Sequence, residues 1–293
     1  MRVLVTGGSG RLGESVVDGL LQAGHDVVSV DLREPRQHRD TWFPADLTVV
    51  DEASWALARV RPEAVVHLAA IAVPFSRPER EILRTNTALA YNVCRSALDA
   101  GANTVVVASS PTVVGYGAPT GWTPAYLPID ETHPVRPWNA YALSKLMAEQ
   151  VMRMFTAQAG DRLRLSAIRP CYVIAEDEWA GAPTQQGHTV RERLDDPALA
   201  AGSLFNYVDA RDAADFVGAL LRRAHDIPNG ETFFVGAGDA LAREPLADLL
   251  PRFHSGTAGF ADGLPGTAAA FSNAHAERLL GWKPERSWRT ELR

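Results

Sequence analysis

The chain has 293 residues, 46% of them hydrophobic, so it can bury a full core as one large domain with a small appendage. Its formal net charge of −6 gives no electrostatic reason to bind a phosphate backbone or an anionic membrane. No apolar run approaches the roughly 20 residues that a membrane span needs. We therefore expect no nucleic-acid or membrane partner, with the cytoplasm as the default compartment.

Short apolar runs alternate with longer amphipathic stretches in the first half of the chain, which is the pattern of βαβ units in a parallel sheet. The predicted strands are 2–6, 26–31, 64–68, 104–109 and 163–168, and the predicted helices are 11–23, 51–58, 80–100 and 139–159. Gly24, Gly101 and Gly160 follow three of these helices, where a left-handed cap is expected.

The regular hydrophobic periodicity of the sequence ends after residue 170. Residues 175–203 are irregular and are interpreted as a substrate lid, and regular structure resumes at 205–223 and 232–235. The alternation of strands and helices therefore predicts an α/β fold class with a parallel sheet. The change of pattern places a domain boundary between residues 169 and 170, with about 205–235 returning to the sheet.

A glycine-rich turn follows the first predicted strand. Gly7, Gly10 and Gly13 have Gly-x-x-Gly-x-x-Gly spacing between that strand and a helix. Glycine lets the chain turn sharply and lets the backbone approach a pyrophosphate that faces the helix N-terminus. The motif predicts a dinucleotide site, against the alternative of a glycine turn without a ligand.

Asp31 ends the second predicted strand, where an acidic side chain accepts hydrogen bonds from the adenosine ribose and repels a 2′-phosphate. This favours NAD over NADP. Arg33, followed by Arg36 and Arg39, is the opposing signal, because a guanidinium can accommodate that phosphate.

Tyr141 and Lys145 lie four residues apart near the start of a predicted helix, so they share one face. A free phenol titrates near about 10, and an adjacent ammonium is expected to lower that pKa. We predict that Tyr141 is the catalytic acid/base, the alternative being a solvated helix pair. Ser110, with Thr112 as second choice, follows a strand end and would orient the substrate oxygen, unless it only caps the turn.

These residues resemble the extended short-chain dehydrogenase/reductases, also called NAD-dependent epimerase/dehydratases. Arg169-Pro170, Tyr207-Val-Asp209 and Leu280-Gly-Trp-Lys-Pro284 match later landmarks of that family. The resemblance implies a Rossmann-type, doubly wound parallel sheet that forms an NAD(P)-binding domain at 1–169, and a small C-terminal, mainly substrate-binding subdomain at 170–293. It also implies a homodimer formed through two helices of each subunit, here about 80–100 and 139–159.

The same resemblance suggests further site residues by position. Cofactor contacts beyond the glycines, Asp31, Arg33, Tyr141 and Lys145 would be Arg11, Leu12, Asp46, Leu47, Leu68, Ala69, Ala70, Asn86, Ser109 and Pro170. Substrate contacts would be Ala72, Pro111, Thr112 and Cys171, together with His188 and Arg191, which are candidates because they lie on the predicted lid. An exposed loop histidine such as His188 is more often a bystander.

Cys94 and Cys171 are interpreted as small buried residues, and no His, Cys, Asp and Glu grouping has metal-ligand spacing. No metal is therefore expected.

Departures from the family pattern narrow the substrate. Pro111-Thr112 replaces the Asp-Glu pair of the 4,6-dehydratases, so dehydration is not expected. Ser203 stands where many nucleotide-sugar enzymes place an arginine, and Ile174-Ala175 replaces a Gly-Pro, although Arg191 or Arg193 could supply the missing charge. Uronate and related sugar dehydrogenases are closer in length and ending, but carry an Asn-His pair where this chain has Pro111-Thr112.

Three functions follow. The leading hypothesis is an NAD(P)-dependent oxidoreductase that transfers a hydride to or from a secondary alcohol or ketone of a sugar-like small molecule. The alternative is a sugar or nucleotide-sugar epimerase with tightly bound NAD. The third is a non-catalytic dinucleotide sensor, against which the intact Tyr141 and Lys145 argue.

Overall fold

The computed structural model describes residues 1–37 and 39–292. Contacts divide the chain into two compact units. The first unit comprises Met1–Val113, Pro137–Arg169 and Ala214–Phe233. The second unit comprises Val114–Arg136, Pro170–Ala213 and Phe234–Arg293.

The regular elements alternate between strand and helix up to residue 170, as the periodicity predicts. In chain order they are β1 (Arg2–Thr6), α1 (Arg11–Gln22), β2 (Asp26–Asp31), β3 (Thr41–Pro44), α2 (Val50–Val60), β4 (Ala64–His67), α3 (Glu79–Asp99), β5 (Thr104–Ala108), α4 (Ala140–Ala159) and β6 (Arg164–Pro170). Two later elements are α8 (Ala210–Arg223) and β9 (Glu231–Val235).

A seven-stranded sheet has the order β3-β2-β1-β4-β5-β6-β9. The pairings β1–β2, β1–β4, β2–β3, β4–β5 and β5–β6 are all parallel. The strand order reverses direction at β1, which is the topological switch point where α/β sheets bind ligands beyond the carboxyl ends of their strands. The predicted fold class is confirmed.

Most predicted bounds agree with the structure to within one or two residues, with two exceptions. The strand β3 was not predicted, since it is a short edge strand that ends in Pro44. Gly160 is not a left-handed cap: its φ is −67°, whereas Gly24 and Gly101 have φ of +79° and +80°. A Cβ on Gly160 would lie 2.5 Å from the Thr156 carbonyl oxygen, so close approach explains this glycine.

The core of the first unit lies between the sheet and the helices α2, α3 and α4. Its members are small and branched apolar residues, including Leu4, Val65, Val93, Val105 and Met152, all fully buried. Every residue of β4 and β5 is buried, as expected for central parallel strands covered on both faces. This core fixes the strand ends from which the site residues emerge.

The second unit is built from short elements. They are β7 (Val173–Ile174), α5 (Glu176–Trp179), α6 (Val190–Asp195), α7 (Ala198–Ala201), β8 (Val208–Asp209), α9 (Leu246–Phe253), α10 (Ala274–Leu280) and α11 (Trp288–Glu291). A separate apolar cluster around Ile174, Trp179, Leu194 and Tyr207 packs β7, α5, α6 and α11 together. The segment 175–203, expected to be irregular, therefore contains three short helices.

Among the helices of the described residues, none combines the length and apolarity required to cross a membrane.

Candidate active site

The glycine turn joins β1 to α1 in a conformation that side chains would block. Gly7 has φ +74°, and a Cβ there would lie 2.6 Å from the Ala69 backbone nitrogen. A Cβ on Gly13 would lie 2.1 Å from the Gly7 carbonyl oxygen. Helix α1 begins at Arg11 without a side-chain cap at Gly10, so its first N–H groups can face an anion. The turn thus fits the pyrophosphate of a dinucleotide.

Asp31 lies at the carboxyl end of β2 and is organised by backbone donors. Its Oδ2 accepts from the Ser9 N–H at 3.1 Å, and its Oδ1 accepts from the Arg33 N–H at 3.1 Å. Of the neighbouring arginines, Arg36 pairs with Glu14 of α1 at 2.5 Å and Arg39 pairs with Asp18. Because two of these three arginines are held by acids, the site favours a ribose hydroxyl over a 2′-phosphate.

Asp46 shapes the turn that follows β3. Its Oδ1 accepts from both the N–H and the hydroxyl of Thr48, at 2.9 and 2.7 Å. Asn92 of α3 donates to the Leu47 carbonyl at 3.1 Å. These bonds hold Asp46 and Leu47 in place, and their contact with an adenine stays a prediction.

The loop after β4 is fastened to both β1 and α4. The Leu68 N–H donates to the Thr6 carbonyl at 3.0 Å, which brings the half-buried segment 68–70 against the glycine turn. Asn86 of α3 accepts from the Ile71 N–H at 2.8 Å and donates to the Ser144 hydroxyl at 3.0 Å. Asn86 therefore positions the loop, and Ala72 beyond it is exposed.

The structure brings Ser110, Tyr141 and Lys145 together in the first unit. Tyr141 and Lys145 lie on the first turns of α4, which Asn139 caps by accepting from the Ala142 N–H at 2.9 Å. Lys145 Nζ donates to the Ala108 carbonyl at 2.9 Å and lies 5.8 Å from the centre of the Tyr141 ring. All three side chains are buried.

Ser110 connects this group to the turn after β5. Its hydroxyl oxygen accepts from the Thr112 hydroxyl at 3.0 Å and from the Thr112 N–H at 3.3 Å, and its side chain is close enough to the Tyr141 phenol to influence the pKa of that phenol. Pro111 begins a 3₁₀ turn, Pro111–Val114, that orients these groups. Thr112 thus acts on Ser110 in addition to being a candidate substrate contact.

Burial controls the protonation of this group. It raises the pKa of the Tyr141 phenol above its usual value, while the Ser110 hydrogen bond opposes that rise. It also lowers the pKa of Lys145 to about 8. The expectation that Lys145 lowers the pKa of Tyr141 was wrong for this structure, because desolvation of the phenol outweighs its neighbours.

His67 ends β4 close to these residues. Burial, followed by the charge of Lys145, lowers the pKa of the imidazole to about 3, so the ring is neutral. Its Nδ1 and the Thr6 hydroxyl are 2.7 Å apart. His67 therefore contributes a neutral polar surface beside Lys145.

A buried ion pair close to the predicted catalytic residues was not predicted from the sequence. Glu149, on α4, and Arg169, on β6, are 0% and 2% exposed and form two hydrogen bonds of 2.7 and 2.9 Å. The Ser109 hydroxyl donates to Glu149 at 2.6 Å, so a contact of Ser109 with the cofactor stays a prediction. The available signal was spacing: Glu149 follows Lys145 by one helical turn.

The remaining candidates lie in the second unit. Cys171 is buried, and its N–H donates to the Val235 carbonyl at 2.9 Å, next to Pro170, which ends β6. His188 is half-buried and its carbonyl accepts from Thr184. Arg191 is exposed and donates to the Leu292 carbonyl at 3.1 Å. Their roles in substrate binding stay predictions.

Both cysteines are free and buried, as predicted, and burial raises the pKa of the Cys94 thiol to about 12. Within residues 1–37 and 39–292, no cluster of three or more His, Cys, Asp or Glu side chains is placed to hold a metal ion.

A family model described as the NAD dependent epimerase/dehydratase family matches residues 3–236, which include the glycine turn and the Ser110, Tyr141 and Lys145 group. The chain belongs to this family. It is therefore an NAD-dependent enzyme, and the resemblance inferred from its motifs is confirmed.

Several curated and solved members of the family match the chain from end to end. The UDP-glucose 4-epimerase of Mycolicibacterium smegmatis is 29% identical, over 97% of this chain and 94% of the relative. The structure of the UDP-glucose 4-epimerase from Brucella ovis in complex with NAD has a TM-score of 0.74 at 20% identity, covering 100% and 96% of the two chains. The corresponding enzyme from Bifidobacterium longum, in complex with NAD⁺ and UDP, has a TM-score of 0.72 at 21% identity, covering 100% and 97%.

Within the NAD dependent epimerase/dehydratase family, these relatives change the order of the functional hypotheses. The leading prediction of a net sugar oxidoreductase is supported only as far as the NAD-dependent chemistry, and the alternative of an epimerase fits the relatives better.

Proposed function

We propose that this protein is an NAD-dependent epimerase that inverts a hydroxyl-bearing carbon of a nucleotide sugar through a keto intermediate. The observation that carries the proposal is the end-to-end similarity to a UDP-glucose 4-epimerase, which spans 97% of the chain. Ser110, Tyr141 and Lys145, all buried in the first unit, would supply the acid/base group that such a reaction needs.

Different residues of the first unit would bind different parts of the NAD molecule. The turn from Gly7 to Gly13 would take the pyrophosphate, and Asp31 would take the adenosine ribose. When bound, NAD supplies reversible acceptance of a hydride. Since Arg36 and Arg39 are already paired with Glu14 and Asp18, we propose NAD in preference to NADP.

Tyr141 would carry the proton. Its phenolate removes the proton from the substrate hydroxyl as that carbon becomes a ketone, and its phenol returns the proton when the carbon is reduced on the other face. Ser110, whose side chain lies beside the phenol, would hold the same substrate oxygen. Because burial raises the pKa of Tyr141, the phenolate needs the Lys145 ammonium nearby, and the Ala108 carbonyl fixes that ammonium.

The reaction can be tested with the purified protein, UDP-glucose and UDP-galactose. We expect interconversion of the two sugars, followed by proton NMR, without net change in the absorbance of reduced nicotinamide. Steady, substrate-dependent accumulation of NADH would contradict an epimerase.

A net sugar dehydrogenase is the second candidate, and Ser203 favours it. This residue replaces the arginine of many nucleotide-sugar enzymes, and its hydroxyl donates to the Ala200 carbonyl at 2.9 Å. A dehydrogenase acting on a sugar without a diphosphate would not need that arginine. Assay of hexoses and uronates with added NAD discriminates this candidate from the first.

We propose further that the protein forms a homodimer through α3 and α4, which pack against each other. Their outer faces leave Tyr91, Leu143, Met147 and Met154 between 36% and 46% exposed. Apolar side chains on adjacent helices are typical of a subunit interface. Sedimentation should give a dimer for the native chain and a monomer for Leu143→Glu/Met147→Glu, whereas a native monomer would contradict the proposal.

A further inference from the structure

The second unit contains an arginine that is buried without an acidic partner. Arg193, on α6, is 1% exposed, and no carboxylate lies within ion-pair distance of it in the part of the chain that the structure describes. Its Nη1 donates to the Gln186 side-chain carbonyl, and its guanidinium lies over the Tyr172 ring, 4.3 Å from the ring centre. Its Nε has no hydrogen-bond partner among these residues.

Nearby acids are engaged elsewhere. Glu192 accepts from the N–H and hydroxyl of Thr189 at 2.7 and 2.9 Å, so it caps its own helix. Asp195 pairs with Arg243 at 2.8 Å. Burial lowers the pKa of the Arg193 guanidinium, so a positive charge is costly to hold at this position. A buried cation of this kind is costly unless something neutralises it.

Two further buried donors belong to the same group. The Tyr172 hydroxyl and the Asn206 amide nitrogen both lack a hydrogen-bond partner among the described residues. Asn206 is 2% exposed, and its oxygen accepts from the Tyr172 N–H at 2.9 Å, so the two residues are joined. Arg193, Tyr172 and Asn206 thus form one connected cluster, with one positive charge and three unsatisfied donors.

We infer that this cluster is an anion-binding subsite that takes a phosphate-type oxygen group of a ligand. A guanidinium, together with a hydroxyl and an amide donor, can donate hydrogen bonds to the oxygens of a phosphate. A guanidinium also binds a charged acceptor more strongly than a neutral one. Gln186, in the exposed stretch 185–187, supplies only a neutral acceptor that the anion would displace. The inference rests on the proposed function only in naming the diphosphate of a nucleotide sugar as the preferred anion.

The test compares Arg193→Met with Arg252→Met, in which an exposed arginine of the second unit loses its pairing with Glu244. Binding of UDP and of inorganic phosphate to NAD-saturated protein is measured by calorimetry, and unfolding is followed by scanning fluorimetry. We expect Arg193→Met to lose at least about tenfold in UDP affinity and Arg193→Lys to lose less, while Arg252→Met binds like the native chain. Tyr172→Phe, which removes one donor, should lose less than Arg193→Met.

Unfolding separates binding from a structural role. Without ligand, Arg193→Met should unfold at the native temperature or above it, because methionine is less costly to bury than an unpaired cation. Native UDP affinity in Arg193→Met would overturn the subsite, as would the absence of binding of any anion to the native chain.

Substrate turnover distinguishes this failure from failure of the proposed function. Epimerisation of UDP-glucose with a KM unchanged by Arg193→Met would overturn the subsite and leave the epimerase standing. Arg193-dependent binding of phosphate or a sugar phosphate, without turnover of UDP-sugars, would support the subsite and remove the nucleotide-sugar substrate.

Discussion

Arg169 in the first unit and Arg193 in the second are among the largest fully buried side chains of the protein, yet their surroundings differ. Arg169 meets Glu149 through two hydrogen bonds, and Glu149 also accepts from Ser109. Among the residues that the structure describes, Arg193 meets a glutamine carbonyl and the face of a tyrosine ring but no carboxylate. The charge of Arg169 is therefore neutralised by Glu149, whereas no described residue neutralises the charge of Arg193.

The difference between the two arginines indicates a structural role for Arg169 and a ligand-binding role for Arg193. A buried charge that is neutralised internally fixes the relative position of the elements it joins, here α4 and β6, so Glu149 and Arg169 hold the helix that carries Tyr141 and Lys145. A buried charge that is left without a partner reduces stability until a ligand of opposite charge arrives. The two arginines should therefore respond differently to mutation.

The largest effect should come from Tyr141→Phe, which removes the hydroxyl of the proposed proton carrier without changing either arginine. We expect turnover to fall by about 10³-fold or more, because acid/base catalysis of this kind contributes about 10²–10⁴-fold. Affinity for NAD should stay within about twofold of the native value. The control is Tyr126→Phe, whose hydroxyl bonds Asp130 in the second unit; equal turnover in the two variants would exclude Tyr141 from the mechanism.

Next in size is Glu149→Leu, which leaves Arg169 buried without its counter-charge. The free energy of unfolding should fall by about 3–5 kcal/mol, as measured by urea denaturation. The matched control is Glu277→Leu, which breaks the exposed pair with Lys283 and should cost less than about 1 kcal/mol. Similar losses in the two variants would contradict the scaffold role, whereas Arg193→Met should lose no stability at all.

A smaller effect concerns pH and Lys145. Because burial lowers the pKa of Lys145 to about 8, the folded protein binds fewer protons than the unfolded chain between this value and about 10.5. The burial penalty is therefore fully present below pH 8 and is relieved as the pH rises. The stability of the native chain relative to Lys145→Met should increase by up to about 1.4 kcal/mol per pH unit in that window. Urea denaturation at a series of pH values measures this difference, and a flat difference would contradict the lowered pKa.

The smallest effect should come from Asp31→Asn, at a carboxylate that two backbone N–H groups already hold. Removing its charge while keeping one acceptor should reduce the preference for NAD over NADP by about tenfold, since repulsion of a 2′-phosphate is lost. Titration with both dinucleotides measures the ratio, with Asp26→Asn at the start of β2 as control. An unchanged ratio would remove Asp31 from cofactor selection.

The sheet, the glycine turn and the pairing of Tyr141 with Lys145 could be predicted from the sequence because each has a local sequence pattern. A strand alternating with an amphipathic helix, a glycine at positive φ and an i, i+4 spacing can all be seen within one short segment. The edge strand β3 was missed because four residues ending in proline carry too little periodicity. Arg191 and Arg193 were interpreted together as lid charges, and only the structure separated an exposed residue from a buried one.

By itself, the sequence determined the alternation of strands and helices in most of the first 170 residues and the glycine turn of the dinucleotide site, and it predicted Tyr141 as the proton carrier. Tertiary structure decided which charges are satisfied: that Glu149 neutralises Arg169 across 20 residues of chain, and that Arg193 has no such partner in the described residues. It also decided that burial raises the pKa of Tyr141 instead of Lys145 lowering it. Desolvation and pairing depend on neighbours brought together from distant segments, and no local pattern of residues specifies them.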